Sequence, residues 1–226
     1  MFNIRLFLLH RLEKFLVNSK LRGTDRLWSI IRDPLTPDLH KTVVRVEYGF
    51  NIIVDPIVDD CIERQIFYKG KYEAGTLEAF KAILNESDVF IDVGSNIGLM
   101  SLSAAKFVGA GGEVHSFEAL PSTYSMLEDN LKLNKKIKNV KAHNRGIGSE
   151  KGNLRIYEKM EINRGCSTFI EQDDKDGVDV EVTTLDDYCR EEGIDTIKLI
   201  KIDVEGWELE VLKGAKEILS SENAPI

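Results

Sequence analysis

Residues 89–98 read VFIDVGSNIG, and that stretch decides the fold. Val89–Val93 is apolar except for Asp92, the pattern of a strand buried on both faces. Gly94 and Gly98 follow at once with Ser95, Asn96 and Ile97 between them, and residues 97–107 (IGLMSLSAAKF) read as a helix rich in small residues. Strand, glycine loop and helix in that order form the opening unit of a doubly wound parallel sheet.

The alternation continues towards the C-terminus. Glu113–Phe117 reads as a second strand, residues 121–134 as a helix opening at Pro121, and Val140–His143 as a third strand. After a turn at Ser149–Gly152, the segments Leu154–Tyr157 and Val178–Val182 alternate like an inserted antiparallel pair. Thr184 caps the next helix, with Asp187 three residues on and Gly193 as its stop. Ile197–Ile202 (IKLIKI) is the fourth core strand, and a helix is expected from Glu205 to a stop at Gly214. Towards the N-terminus, residues 42–55 read as two short strands around Gly49, and Thr76 as the cap of a helix through Leu77, Phe80 and Leu84. The chain is therefore expected to be α/β, a Rossmann-like, mostly parallel sheet over residues 41–226, behind a helical extension over residues 1–40.

A length of 226 residues suits one such domain with an extension and is short for two. The 30 basic and 38 acidic residues leave a net charge of −8, which repels a nucleic-acid backbone and makes nucleic acid an unfavoured partner. Residues 1–40 are the exception, with seven bases against four acids. Phe2, Leu6, Leu9 and Leu16 fall there at helical spacing, so the extension reads as an amphipathic helix packed on the domain. Contact of residues 1–20 with a membrane surface is the less favoured alternative. Charges interrupt the segment too often for a signal peptide or a spanning helix. Cys61, Cys166 and Cys189 form no CxxC pair and no disulfide framework, which fits a reducing, cytoplasmic location. Oligomeric state is left open.

Sheets of this class hold ligands at the carboxyl ends of their strands, beside the reversal of strand order. The loop spaces its glycines as GxxxG and not as the GxGxxG of dinucleotide folds, and Asp92 at the strand tip would repel a pyrophosphate. S-adenosylmethionine carries no phosphate; its ammonium suits an acid, and its carboxylate suits loop N–H groups. Glu118 ends the second strand 20 residues beyond Gly98, where a carboxylate can accept hydrogen bonds from both ribose hydroxyls.

With these residues in view, the chain resembles the FkbM family of class I S-adenosylmethionine-dependent methyltransferases over roughly residues 43–220. The likeness is carried by Gly70-Lys71-Tyr72-Glu73, by FIDVGSNIG over 90–98, and by Phe117-Glu118-Ala119-Leu120-Pro121 with Leu127 and Asn130 following. It continues in TTLDDY over 183–188 and, most specifically, in KLIKIDVEGWELEVLKG over 198–214. The resemblance implies methylation of oxygen on sugars, polyketides or related small acceptors. It further implies cofactor contacts from Asp92, Gly94, Ser95, Asn96, Gly98 and Glu118, with Tyr72 and Glu73 approaching from the preceding segment and Gly146 near the adenine. A fifth strand and an antiparallel pair beyond it are implied as well, and Ala224-Pro225-Ile226 reads like the start of that strand. The domain is thus expected to be C-terminally incomplete, with Ile197–Ile202 as an open edge.

Asp203 and Glu205 flank the end of the fourth strand, across from the glycine loop. Methyl transfer is an in-line displacement, so the enzyme positions the acceptor and removes its proton. Asp203, expected in a partly buried cleft, is the candidate base; the alternative is that it binds a divalent cation that acidifies the acceptor hydroxyl. Glu205 is a second catalytic candidate or a residue that merely favours a helix start. Trp207 reads as core or as the floor of an acceptor pocket, and His115 and His143, within strands, as structural. Lys201 in an apolar strand has no account at this level. The leading acceptor is a small molecule; RNA, protein, or a non-catalytic binding role are the alternatives.

Overall fold

The computed structural model describes residues 11–12, 40–59, 62–157 and 177–226. The helical extension and its membrane alternative lie outside the described residues, apart from Arg11 and Leu12, which are helical. Among the described residues no helix is long and apolar enough to cross a membrane. The strands β1 (Thr42–Arg45) and β2 (Asn51–Val54) form the expected antiparallel pair, and the turn between them passes through Gly49 at φ +84°. Two helices follow, α1 (Ile62–Lys69) and α2 (Ala74–Ile83).

The alternating region then runs β3 (Val89–Val93), α3 (Leu99–Phe107), β4 (Glu113–Phe117), α4 (Pro121–Leu133) and β5 (Val140–His143). After it come β6 (Gly146–Ile147), β7 (Gly152–Tyr157), β8 (Gly177–Thr183), α5 (Leu185–Glu192), β9 (Leu199–Ile202), α6 (Glu208–Lys213) and α7 (Lys216–Leu219). One parallel sheet has the order β5-β4-β3-β9. The chain steps outward from β3 to β5 and then returns to lay β9 on the other side of β3, the reversal that defines a Rossmann-like doubly wound sheet. The inserted pair is β7 with β8, antiparallel, and β8 also pairs in parallel with β6 in a separate sheet.

Side-chain alternation along β3 sorts the layers. Phe90 clusters with Leu77 and Phe80 of α2 and Ala104 of α3, whereas Ile91 and Val93 cluster with Leu185 and Tyr188 of α5 and Val211 of α6. Full burial of one such side chain is worth about 1.5–3 kcal/mol. A third cluster joins Ile52 and Val54 of β2 to Ile66 and Phe67 of α1 and Met126 of α4. Polar groups fasten the same junction. Asn51 N donates to Asn134 Oδ1 at 3.0 Å, and Asn134 Nδ2 donates back to Asn51 O at 2.6 Å. Ile53 N donates to Asn130 Oδ1 at 2.6 Å, and Asn130 Nδ2 donates to Ile53 O at 3.4 Å and to Ile97 O at 2.9 Å.

Some elements depart from expectation. Helix α2 begins at Ala74, behind Glu73 in a left-handed conformation (φ +46°), so Thr76 lies inside the first turn and is not the cap. After β9, Glu205 (φ +40°) and Gly206 (φ +88°) are left-handed in succession, which a right-handed helix cannot contain; helix α6 starts only at Glu208. The edge of β9 is also not fully open. Ile200 N donates to Ile226 O at 3.0 Å and Ile226 N donates to Lys198 O at 3.2 Å, a parallel pairing that does not call on Pro225 for a donor.

Candidate active site

Beyond Val93 the chain turns through Gly94 (φ +79°), Asn96 (φ +49°) and Gly98 (φ +90°) before entering α3. A Cβ on Gly94 would lie 2.0 Å from the carbonyl oxygen of Asp203, at the tip of the neighbouring β9. A Cβ on Gly98 would lie 2.5 Å from Leu127 Cδ1 of α4. The loop is therefore pressed between β9 and α4, and only glycine combines these contacts with these dihedrals. Its start is anchored on β4, because Gly94 N and Ser95 N both donate to Phe117 O, at 3.0 and 2.9 Å.

Glu118 stands at the end of β4 and grips the other half of the loop. Its Oε2 accepts from Asn96 N at 2.9 Å and its Oε1 from Leu120 N at 3.0 Å. Burial pushes the carboxyl up to about 7, against the opposing pull of those two amides. Close by in the loop, Ser95 Oγ and Asn96 Oδ1 are buried and have no hydrogen-bond partner among the described residues. Buried polar atoms are ordinarily satisfied, so these two are the kind a ligand completes.

Asp92 and Lys201 lie beneath the loop. Asp92 is fully buried, and its Oδ2 accepts from Ser101 Oγ of α3 at 2.6 Å. Its Oδ1 is 3.4 Å from Lys201 Nζ, which also lies 3.2 Å from Asp203 Oδ2 and donates to Gly94 O at 2.9 Å. Burial works against the Lys201 charge, yet the two carboxylates more than offset it and raise the ammonium's pKa.

One cleft opens at the carboxyl ends of these strands. Tyr72, Glu73, Gly94, Ser95, Asn96, Glu118 and Gly146 line it, together with Asp203 and Glu205. Asp92 and Gly98, also expected at the cofactor, do not reach the cleft lining; one sits in the buried polar row and the other against Leu127. The partly buried base expected at Asp203 is instead an exposed side chain (58%) with Lys201 on its inner side. Trp207 packs with the Ile91 cluster and is absent from the cleft lining. Lys201, Arg145, Phe117 and Ile156 line the cleft without having been expected there. For Lys201 the signal was present as a charge in an apolar strand; Ile156 arrives from the inserted β7, whose docking no local pattern reveals.

His115 and His143 are held away from the cleft around the Tyr188 hydroxyl, at 2.7 Å from His115 Nδ1 and 2.8 Å from His143 Nε2. Burial lowers both imidazoles, His143 to about 4, so the pair is neutral near pH 7 and structural in role. Among the described residues no group of three or more His, Cys, Asp or Glu could hold a metal ion.

Residues 92–225 match the family described as the methyltransferase FkbM domain. The chain belongs to the FkbM methyltransferase family. Methyltransferase sdnD of Sordaria araneosa is 34% identical over 189 residues, covering 69% of this chain and 70% of that one. Hexuronic acid methyltransferase AglP of Haloferax volcanii is 29% identical over 138 residues, 61% of this chain and 54% of that one. The 2-O-methyltransferase NoeI of Sinorhizobium fredii is 46% identical over 43 residues, 19% and 18% of the two chains. The FkbM match begins at Asp92 and takes in the loop, Glu118, β9 and Asp203. Membership makes this chain an S-adenosylmethionine-dependent methyltransferase.

Proposed function

We propose that the enzyme methylates a hydroxyl oxygen of a small-molecule or sugar acceptor, with Asp203 as the general base. One arrangement carries this reading: Glu118 and Asp203 stand at the tips of the two strands that flank β3, a buried carboxylate on one side and an exposed one on the other, in the same cleft. Two relatives, a 2-O-methyltransferase and a hexuronic acid methyltransferase by name, support an oxygen-rich acceptor. The net charge of −8 supports a substrate other than nucleic acid.

The residues present fit the cofactor. Glu118 keeps lone pairs for the ribose hydroxyls after accepting its two amides, and Asn96 Oδ1 and Ser95 Oγ are polar atoms awaiting partners at the methionine end. Gly146 would lie beside the adenine, and Tyr72 and Glu73 would close over the cofactor from the entrance to α2. S-adenosylmethionine supplies a methyl group on a positively charged sulfur, which in-line displacement releases as a neutral thioether. Asp203 accepts the acceptor's hydroxyl proton as the new O–C bond forms. Glu205, exposed at the mouth, orients the acceptor by hydrogen bonding.

The test is transfer from methyl-labelled S-adenosylmethionine to a panel of methyl glycosides, uronic acids and hydroxylated polyketides. Label is expected on oxygen of one of these classes. Asp203→Asn should cut kcat at least about tenfold while the cofactor Kd stays within about twofold. Turnover that survives EDTA assigns proton removal to Asp203 and not to a cation-bound hydroxyl. Label confined to RNA or protein of a cell extract would overturn the proposal.

A further inference from the structure

Lys201 occupies a strand that is otherwise Leu199, Ile200 and Ile202, and a cation in such a place is costly unless it is fully paired. Register supplies the pairing, since Lys201 lies directly opposite Asp92 of β3. An ammonium has three N–H donors. Here Asp92 Oδ1, Asp203 Oδ2 and Gly94 O stand at 3.4, 3.2 and 2.9 Å, and the side chain is only 12% exposed. The Gly94 contact is a hydrogen bond and the two carboxylates are ion-pair partners, so the ammonium is held on three sides at the border of the cleft. On its far side Asp92 is held by Ser101, whose hydroxyl accepts from Ser116 Oγ of β4 at 2.7 Å. A polar row thus crosses from β4 through α3 and β3 to β9, by hydrogen bonds from Ser116 to Asp92 and by ion pairs from Asp92 through Lys201, and it ends on the exposed carboxylate of Asp203.

We propose that Lys201 is a positioning residue for methyl transfer. It fixes Oδ2 of Asp203 and leaves Oδ1 presented to the acceptor's hydroxyl. This deepens the reading of Asp203 as the base and rests on it. An exposed aspartate without such an anchor samples several rotamers, and only some aim at the acceptor. Among the described residues no other cation of the cleft can substitute. Arg145 follows β5, at the opposite end of the sheet, where it lies 3.9 Å from Glu181. The remaining charged groups of the lining, Glu73, Glu118 and Glu205, are acids.

Removing Lys201 alone would strand the Asp92 charge in the core and endanger folding, so the test uses an Asp92→Asn background, which keeps the hydrogen bond from Ser101. Four proteins are compared: Asp92→Asn alone, with Lys201→Met, with Asp203→Asn, and with both. Thermal unfolding checks that each folds. Calorimetry with S-adenosylhomocysteine reads the cofactor site, and kcat is taken with the panel compound methylated fastest by the parent. Lys201→Met should lower kcat at least about tenfold with Kd for S-adenosylhomocysteine within about threefold, and should lower it no further once Asp203 is Asn. Crystal structures should show Asp203 in one rotamer with Lys201 and in several without it. An equal proportional loss of kcat in both Asp203 backgrounds, or undiminished kcat with a single Asp203 rotamer after Lys201→Met, would overturn the inference while leaving the base intact. Undiminished kcat in the Asp203→Asn protein would overturn the base reading itself, and this inference with it.

Discussion

Glu118 should make the cofactor-free protein less stable as pH rises, opposite to the behaviour of a salt-bridged carboxylate. Burial lifts its pKa from 4.5 to about 7 in the folded state. Between those values the folded chain holds a proton that the unfolded chain has released. The group's contribution is therefore complete below about pH 4.5, declines as pH climbs through the window, and is exhausted above about pH 7. A shift of about 2.5 units at about 1.36 kcal/mol each amounts to about 3 kcal/mol. Urea unfolding from about pH 5 to pH 8, on the parent and on Glu118→Gln, isolates it. Glutamine keeps the shape but cannot titrate, and it presents an NH2 group to one of the two amides that the carboxylate accepts. That adds an offset of about 1–3 kcal/mol that does not vary with pH. The stability of the parent relative to Glu118→Gln should fall by about 2.5 kcal/mol from about pH 5 to pH 8, to zero or below. Parallel curves would refute the argument. A ligand that donates hydroxyls to the ionised carboxylate should bind more tightly as pH rises, by up to about tenfold per unit until about pH 7, and S-adenosylhomocysteine calorimetry reads that limb directly.

Gly94→Ala should destabilise by at least about 2 kcal/mol and abolish measurable S-adenosylhomocysteine binding, because φ +79° and an oxygen 2.0 Å from the new Cβ both force the loop off β9; an unchanged urea midpoint would contradict this. Asn130→Ala should cost about 2–4 kcal/mol by leaving Ile53 N, Ile53 O and Ile97 O without their side-chain partner. A variant of parental stability would mean that water replaces the amide there.

The central sheet was legible because its short strands alternate with helices and are set off by glycine and polar turns. Of the first three, only Val89–Val93 is an apolar run apart from Asp92, whereas Glu113–Phe117 (EVHSF) and Val140–His143 (VKAH) carry more polar residues. Val89–Val93, Glu113–Phe117 and Val140–His143 appear with the bounds expected of them. What stayed hidden depends on neighbours far along the chain. Asp92 looked like a cleft residue because it ends a strand beside a glycine loop, yet alternation turns it to the α3 side, where Ser101 waits nine residues on. Lys201 had no meaning until strand order placed it opposite Asp92, across a separation that no local pattern spans. The helix expected from Glu205 failed on backbone grounds: Glu205 is a good helix former in isolation, and Gly206 permits the left-handed turn that displaces it. Thr76 failed likewise as a cap because Glu73 had already turned the chain into α2.

The two asparagines of the α4 region have a consequence for how this molecule behaves among its own kind. On the outer rim of β2, the side of the strand turned away from β1, the amide and carbonyl of Asn51 and Ile53 are each engaged by a side-chain carboxamide. Those are alternate residues, the spacing at which a neighbouring strand would dock its own backbone. Asn130 and Asn134 thus imitate a strand from a helix, and they do so with groups that cannot be extended into a ladder. A second chain meeting this rim finds its hydrogen-bonding sites already taken, so a two-stranded hairpin that would otherwise be a template for cross-chain stacking is closed to it.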